Sequence, residues 1–446
     1  MTVGRTSGIS PAMPSARQTF LRDRSALAPH GTPPTYRSMR RIAHGAVWFT
    51  MALSAIVFSE PAPVDLFLLG LLVLLPVVGL VRFSPLLAVP LCGWLLIAAF
   101  GFLASLSATD AGLSARHTAI TLYLSLILIV IAGFVLQDPL RHGRVIASGL
   151  VAAAVIGALL GIVGYFDVIP GSYDLFTLYG RARGGFKDPN VLGAFLAATL
   201  VVALHFTLHR RGAARAWYGA SCVIIVFALL LSFSRSAWLT SFAAIAMYLY
   251  LSILVAPSNK HRMTLMLMAG GGALICVVML LGALQFSAVS SLLAERATFS
   301  QSHDIGPEGR FGGMTKAVQV IIQSPLGIGS LEFRPRFHHE EPHNVWLSMF
   351  LNTGWAGGLL FFLLTIGTAI YGFRRLTQPS PDQQLFVVFY AGYIATLMGG
   401  LVVDTDHWRH LFILMGVVTG FSLAPTAGFQ LAEKRTAFLV REQRAN

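Results

Sequence analysis

Residues Trp217 to Val255 read WYGASCVIIVFALLLSFSRSAWLTSFAAIAMYLYLSILV, and one charge, Arg235, interrupts them. A bilayer crossing takes about 20 apolar residues, so this stretch is too long for one span and right for two. An arginine at membrane depth costs roughly 2.5–3.5 kcal/mol on insertion scales, so it is rarely kept without a partner or a task. Arg235 is therefore expected at the turn between two spans. The side of the membrane it faces decides whether it anchors topology or belongs to a site.

The same reading extends along the chain. Of its 446 residues, 55% are hydrophobic and only 11% charged, and the mean hydropathy is +0.70. About twelve windows are long enough to span, centred near Trp48, Leu72, Leu96, Ile127, Ala154, Ala198, Val226, Ala244, Leu274, Phe361, Ala395 and Met415. They are rich in Leu, Val, Ala and Gly and lack the alternation of barrel strands, which predicts helices. The expected fold is an all-α integral membrane domain over 40–425, with a long outer loop, about residues 285–343, between spans nine and ten. Residues 1–39, rich in Ser, Pro, Arg and Thr, and residues 426–446 are expected as cytoplasmic tails, the first disordered. Cys92, Cys222 and Cys276 all lie in apolar windows, which argues for packing and against a disulfide framework or thiolate metal site.

The net charge of +13 is distributed as topology demands, not as nucleic-acid binding would require. Arg40, Arg41, Arg82, Arg141, Arg144, Arg210, Arg211, Arg215, Lys260, Arg262, Arg374, Arg375 and the basic residues after 433 fall in alternate loops. This positive-inside pattern puts both termini in the cytoplasm and Arg235 on the outer face.

The remaining cations concentrate in a few outer loops. Arg181, Arg183 and Lys187 precede the sixth span; Arg296, Arg310, Lys316, Arg334 and Arg336 lie in the long loop; Arg116 and Arg409 complete the set. Convergent loops of this kind would form a cationic pocket for an anion at headgroup depth, such as a lipid-linked phosphate or pyrophosphate. Ordinary headgroup contacts and snorkelling are the plainer alternative.

Local motifs refine this picture. In Gly184-Gly185-Phe186-Lys187-Asp188-Pro189-Asn190, Asp188 is a helix N-cap and Pro189 a first helical residue; Asn190 and the neighbouring bases need a further reason. Gly309-Arg310-Phe311 opens an amphipathic helix through Gln323 that ends in Ser324-Pro325-Leu326-Gly327-Ile328-Gly329. His339 to His343 fits H-E-x-x-H, but Pro342 bars the helix that a zinc site of this type needs. Asn344 is expected to cap the tenth span. His343 is then either a base facing the outward cavity or an interfacial histidine without chemistry. Asp404-Thr405-Asp406-His407-Trp408-Arg409-His410 forms a tight turn whose charges could pair internally, orient His343 or bind a sugar.

The motifs Phe186/Asp188-Pro189-Asn190, Ser234-Arg235-Ser236, Gly309-Arg310 to Pro325-Leu326-Gly327-Ile328-Gly329, and His343-Asn344 with Gly354 and Gly357 occur in one order. Together they resemble the O-antigen ligase / O-antigen polymerase superfamily of bacterial membrane glycosyltransferases. The resemblance covers roughly 40–425 and is sharpest over 180–360. It implies a GT-C-like helical fold in the bacterial inner membrane and a glycan donor carried on undecaprenyl pyrophosphate. The acceptor would be a hydroxyl of lipid A–core or of another glycan, with no metal or other cofactor. Arg235 and Arg310 would hold the pyrophosphate and His343 would deprotonate the acceptor. Arg183, Lys187, Asn190, Asn344 and Asp404 are further candidates for substrate binding. A polymerase of O-antigen or exopolysaccharide shares this chemistry. A transporter or flippase is the alternative of another class, disfavoured because the spans are nearly charge-free and no repeat of two halves is visible.

Overall fold

The computed structural model describes residues 34–256, 258–285, 306–307 and 309–425. Most of the expected first tail, all of the last, Arg296 and residues 286–305 of the long loop lie outside the described residues. The chain divides into two compact units, Met1–Ile42 and Ala43–Asn446, and the packing that builds the core and the site belongs to the second. The helices are α1 (Pro34–Leu53), α2 (Pro63–Val77), α3 (Ala88–Ser105), α4 (Ala111–Gln137), α5 (Pro139–Tyr165) and the short α6 (Ser172–Phe176). A small hairpin of β1 (Thr177–Leu178) and β2 (Arg181–Ala182) precedes α7 (Pro189–His209), α8 (Gly212–Leu231), α9 (Arg235–Leu254) and α10 (Asn259–Ala283). Then come α11 (Arg310–Gln323), α12 (Phe333–Arg336), α13 (Val345–Leu376), α14 (Gln383–Gly399) and α15 (Arg409–Leu423).

Each of the twelve expected span centres falls inside a helix. Among the described residues, seven segments are long and apolar enough to cross a membrane: 85–105, α4, α5, α7, α8, α9 and α13. The helices α2, α14 and α15 are apolar but only 15, 17 and 15 residues long. Composition located the helices but overstated the length of these three, which fall short of the roughly 20 residues of a full span. The core packs α4 on α15, α3 on α13, and α7 against α8, α9 and α14.

The stretch 217–255 divides as expected. α8 ends at Leu231 and α9 starts at Arg235, with Ser234 as its N-cap accepting from the Ala237 N–H at 3.3 Å. Phe233, buried in this turn, has a φ of 45°, a conformation that a bulky residue adopts only under tertiary constraint.

The second decisive feature is a break in α13. Gly354 has φ 71° and ψ −175° inside the helix. The Pro325–Gly329 segment enters there: Trp355 N–H donates to the Pro325 carbonyl at 2.9 Å, and Ile328 N–H to the Leu351 carbonyl at 2.8 Å. A Cβ on Gly354 would lie 2.6 Å from the Pro325 oxygen, and one on Gly327 2.7 Å from the Gly354 nitrogen. Irregular backbone inside an apolar bundle persists only where its polar groups are satisfied by protein. Gly354 and the Pro-Leu-Gly-Ile-Gly motif are two halves of one joint.

Candidate active site at one end of the helices

Loops 54–62, 106–110, 166–188, 232–234, 325–344 and 400–408 are tied to one another at one end of the helices. The ties are Lys187 to Glu60, Arg181 to Ser232, Thr109 to Glu332 and Asn344 to Asp404, and Arg409, next to the last loop, joins the two sets by lying 4.0 Å from Glu60. Arg183, Lys187, Asn190, Arg235, His343, Asn344 and Asp404 lie in these loops or in the helical turns that adjoin them, and Arg310 opens a helix, α11, whose first turn packs on His338 of loop 325–344.

Arg235 and Arg310 share a placement. Each is the first residue of its helix, α9 and α11, and each is partly exposed. The N-cap of α11 is Gly309, which offers no side chain. A cation at a helix N-terminus opposes the macrodipole, so each placement carries a small local cost that a nearby anion would offset. First-turn N–H groups add donors for it.

His343 stands between two carboxylates. Its Nδ1 is 3.7 Å from Asp404 Oδ2 and its Nε2 3.6 Å from Glu340 Oε2, with the imidazole 40% exposed. Its φ of 51° turns the chain out of the 337–344 loop and into α13. Residues 338–343 are not helical, so His339 and His343 do not share a helix face and the zinc-protease reading fails, as Pro342 requires. Asn344 caps α13, its Oδ1 accepting from Trp346 N–H at 3.0 Å and Leu347 N–H at 3.2 Å. Asp404 is fixed from the other side, accepting from Asn344 N–H at 3.1 Å and Ser348 Oγ at 2.5 Å. An imidazole beside a rigidly held carboxylate is the arrangement by which a base is oriented. Burial, followed by the nearby Asp406, raises the Asp404 carboxyl above the usual range. Burial and then Asp404 push the neighbouring Glu341 up to about 7.

The segment before α7 is differently built. Asp188 caps α7 by accepting from Asn190 N–H at 2.7 Å, and Pro189 opens the helix. Buried Arg181 donates to the Ser232 carbonyl and to Asn190 Oδ1, both at 2.8 Å. A Cβ on Gly193 would meet that of Ala237 at 2.5 Å. The Asp-Pro-Asn motif is therefore packed directly on the Ser-Arg-Ser turn, and Arg181, not Arg183, joins them. Arg183 donates to the Leu175 carbonyl at 3.1 Å. Lys187 pairs with Glu60 at 2.9 Å. Arg409 grips Asp65 through two bonds of 2.6 Å. Burial raises the Glu60 carboxyl, but Lys187, Arg409 and His407 together hold it below the ordinary value.

Contacts bring the elements together. A Cβ on Gly399 would lie 3.6 Å from Thr240 of α9, and Val345 N–H donates to the Gly400 carbonyl at 2.9 Å. The start of α9 therefore adjoins the start of α13 across the end of α14. The first turn of α11 packs on the same loop, since a Cβ on Gly313 would meet His338 at 3.0 Å. His343, Asn344 and Asp404 touch directly. Lys187 and Asp404 share the wall of a cavity of about 170 Å³ with Glu60, Phe186, Trp408 and Arg409.

Sequence reading passed over Glu60, Asp65, Glu340, Ser348 and the Arg181 bridge. Asp65 carried a signal, as an acid in an apolar window; Glu340 pairs locally with His343, and the others are defined by partners farther along the chain.

This is a predominantly helical, multi-pass membrane protein. Residues 220–362 match the family model described as O-antigen ligase. The chain thus carries an O-antigen ligase family segment, and the resemblance read from motif order is borne out, with a function of the O-antigen ligase or polymerase type. The match includes Arg235, Arg310, His343 and Asn344; Lys187, Asn190 and Asp404 lie outside it. No curated protein matches the chain.

Proposed function

We propose that this protein transfers a glycan from undecaprenyl pyrophosphate to an acceptor hydroxyl at the periplasmic face of the inner membrane, with lipid A–core as the acceptor. The acceptor oxygen attacks the anomeric carbon, the bond from that carbon to the pyrophosphate oxygen breaks, and the hydroxyl proton passes to His343. Arg235 and Arg310 stabilise the departing lipid pyrophosphate, where negative charge grows most in the transition state. Asp404, held by Ser348 and the Asn344 N–H, orients the imidazole. Asn344 and Asn190 serve by capping α13 and anchoring Arg181, and Lys187 by holding the Glu60 loop. The observation that carries the reading is the shared placement of Arg235 and Arg310 as first residues of helices at the end where His343 faces Asp404.

Purified protein incubated with undecaprenyl-pyrophosphate-linked glycan and lipid A–core is expected to yield covalent glycan–core product. Translocation of the donor across vesicles without a new glycosidic bond would instead make the protein a carrier. In cells, deletion is expected to remove polymer from the core and accumulate lipid-linked chains. Core bearing a single repeat unit would assign a polymerase.

A further inference from the structure

The transfer reading leaves a buried cluster at the same end without a task. His117 lies two turns into α4, and Asp406 and His407 are neighbours in the turn before α15. His117 Nε2 is 3.8 Å from Asp406 Oδ2, with the two side chains only 14% and 11% exposed. The imidazoles of His117 and His407 stack with centroids 3.6 Å apart, and His407 Nε2 is bonded to the Thr121 hydroxyl at 3.0 Å. One ligand-type atom from each of His117, Asp406 and His407 lies within 4.8 Å of the others.

Charge is the second observation. Arg409, next but one to His407 in this turn, already binds Asp65 twice at 2.6 Å, and Lys187 binds Glu60. Asp406 is thus a desolvated carboxylate facing two imidazoles, and a buried charge of this kind needs a counter-charge. A proton on an imidazole or a metal ion would each supply it.

We propose that His117, Asp406 and His407 bind one divalent transition-metal ion of the zinc class, tying α4 to the 400–408 turn. Two imidazoles and one carboxylate are a zinc-type ligand set, completed by water in a fourth position. Tetrahedral binding needs ligand atoms roughly 3.5 Å apart, so the two imidazoles would turn out of their 3.6 Å stack to converge on the ion. The Thr121 hydroxyl bonds His407 Nε2, so His407 would take the ion on Nδ1 with Thr121 as an outer partner of the kind metal-bound histidines have. The arginine clamp uses none of these residues, so this site stands or falls independently of the transfer reaction.

The test is metal content of the full chain, purified in detergent with any histidine tag removed, equilibrated with Zn²⁺ and washed in metal-free buffer. One zinc per chain is expected in the wild type, little in His117→Ala or His407→Ala, and full retention in His410→Ala, a buried neighbour outside the cluster. Co²⁺ loading of the wild type is expected to give the visible absorption of a tetrahedral site, which settles the matter even where a variant fails to fold. A wild type with neither zinc nor that absorption overturns the proposal and leaves a proton as the counter-charge. So does zinc content unchanged by both histidine variants.

Discussion

Two polar regions share one end of this protein and differ in how completely their charges are matched. Around the start of α7, Arg181 is held by Ser232 and Asn190, Lys187 by Glu60, and Arg409 by Asp65. Around the start of α13, His343 faces Asp404 and Glu340 at 3.6–3.7 Å, beyond hydrogen-bond reach, and stays 40% exposed. Satisfied charges hold loops together. A partly open imidazole beside a fixed carboxylate can exchange protons with a ligand. The first region is read as scaffold and the second as chemistry.

Substitutions can break this division. The largest effect is expected from Arg235→Ala and Arg310→Ala, each lowering transfer by on the order of 100-fold or more while membrane insertion stays normal. Transfer assays on inserted protein check this, and near-normal rates in both would remove the clamp from the mechanism. Arg409→Ala should act on folding instead. It strands the buried Asp65 carboxylate, and breaking such a pair costs about 3–5 kcal/mol, visible as a large loss of thermal stability in detergent.

Glu341 sharpens the contrast through pH. Its carboxyl is raised from 4.5 to about 7, by burial first and Asp404 second. A raised acid gives its stability fully below its unfolded value and loses it as pH rises through the folded one. Glu341→Gln should therefore match the wild type in melting temperature near the low end of that window and exceed it at about pH 8, above the folded value. An equal shift at both ends would contradict the assignment. The smallest effect is expected for Lys187→Ala. Its half-exposed pair with Glu60 is worth under about 1 kcal/mol, and transfer should continue at close to the wild-type rate. A collapse of transfer there would move substrate binding into the α7 region.

The legible parts of the sequence were those governed by local rules. Hydropathy located the helices, and the break at Ser232–Ser234 followed from the length of 217–255. Asp188, Asn344 and Pro342 announced caps and a non-helical loop because capping and proline geometry act within a few residues. Pairings across the chain were not legible. Nothing near Asp65 announces Arg409, and nothing near Arg181 announces the Ser232 carbonyl. The Gly354 break shows the intermediate case. Its glycines were visible as a motif, but their purpose appears only when Pro325–Gly329 is seen inside the helix. Span lengths of α2 and α14 were overread because the apolar residues 78–81 and 400–403 that follow them look like helix to a hydropathy window.

The most direct test of the central claim is the initial rate of glycan transfer from undecaprenyl pyrophosphate by purified His343→Ala, compared with wild type at equal folded protein. Loss of a positioned base predicts a fall of about 100-fold or more with the melting temperature unchanged. A rate within a few-fold of wild type would contradict the assignment of His343 as the base.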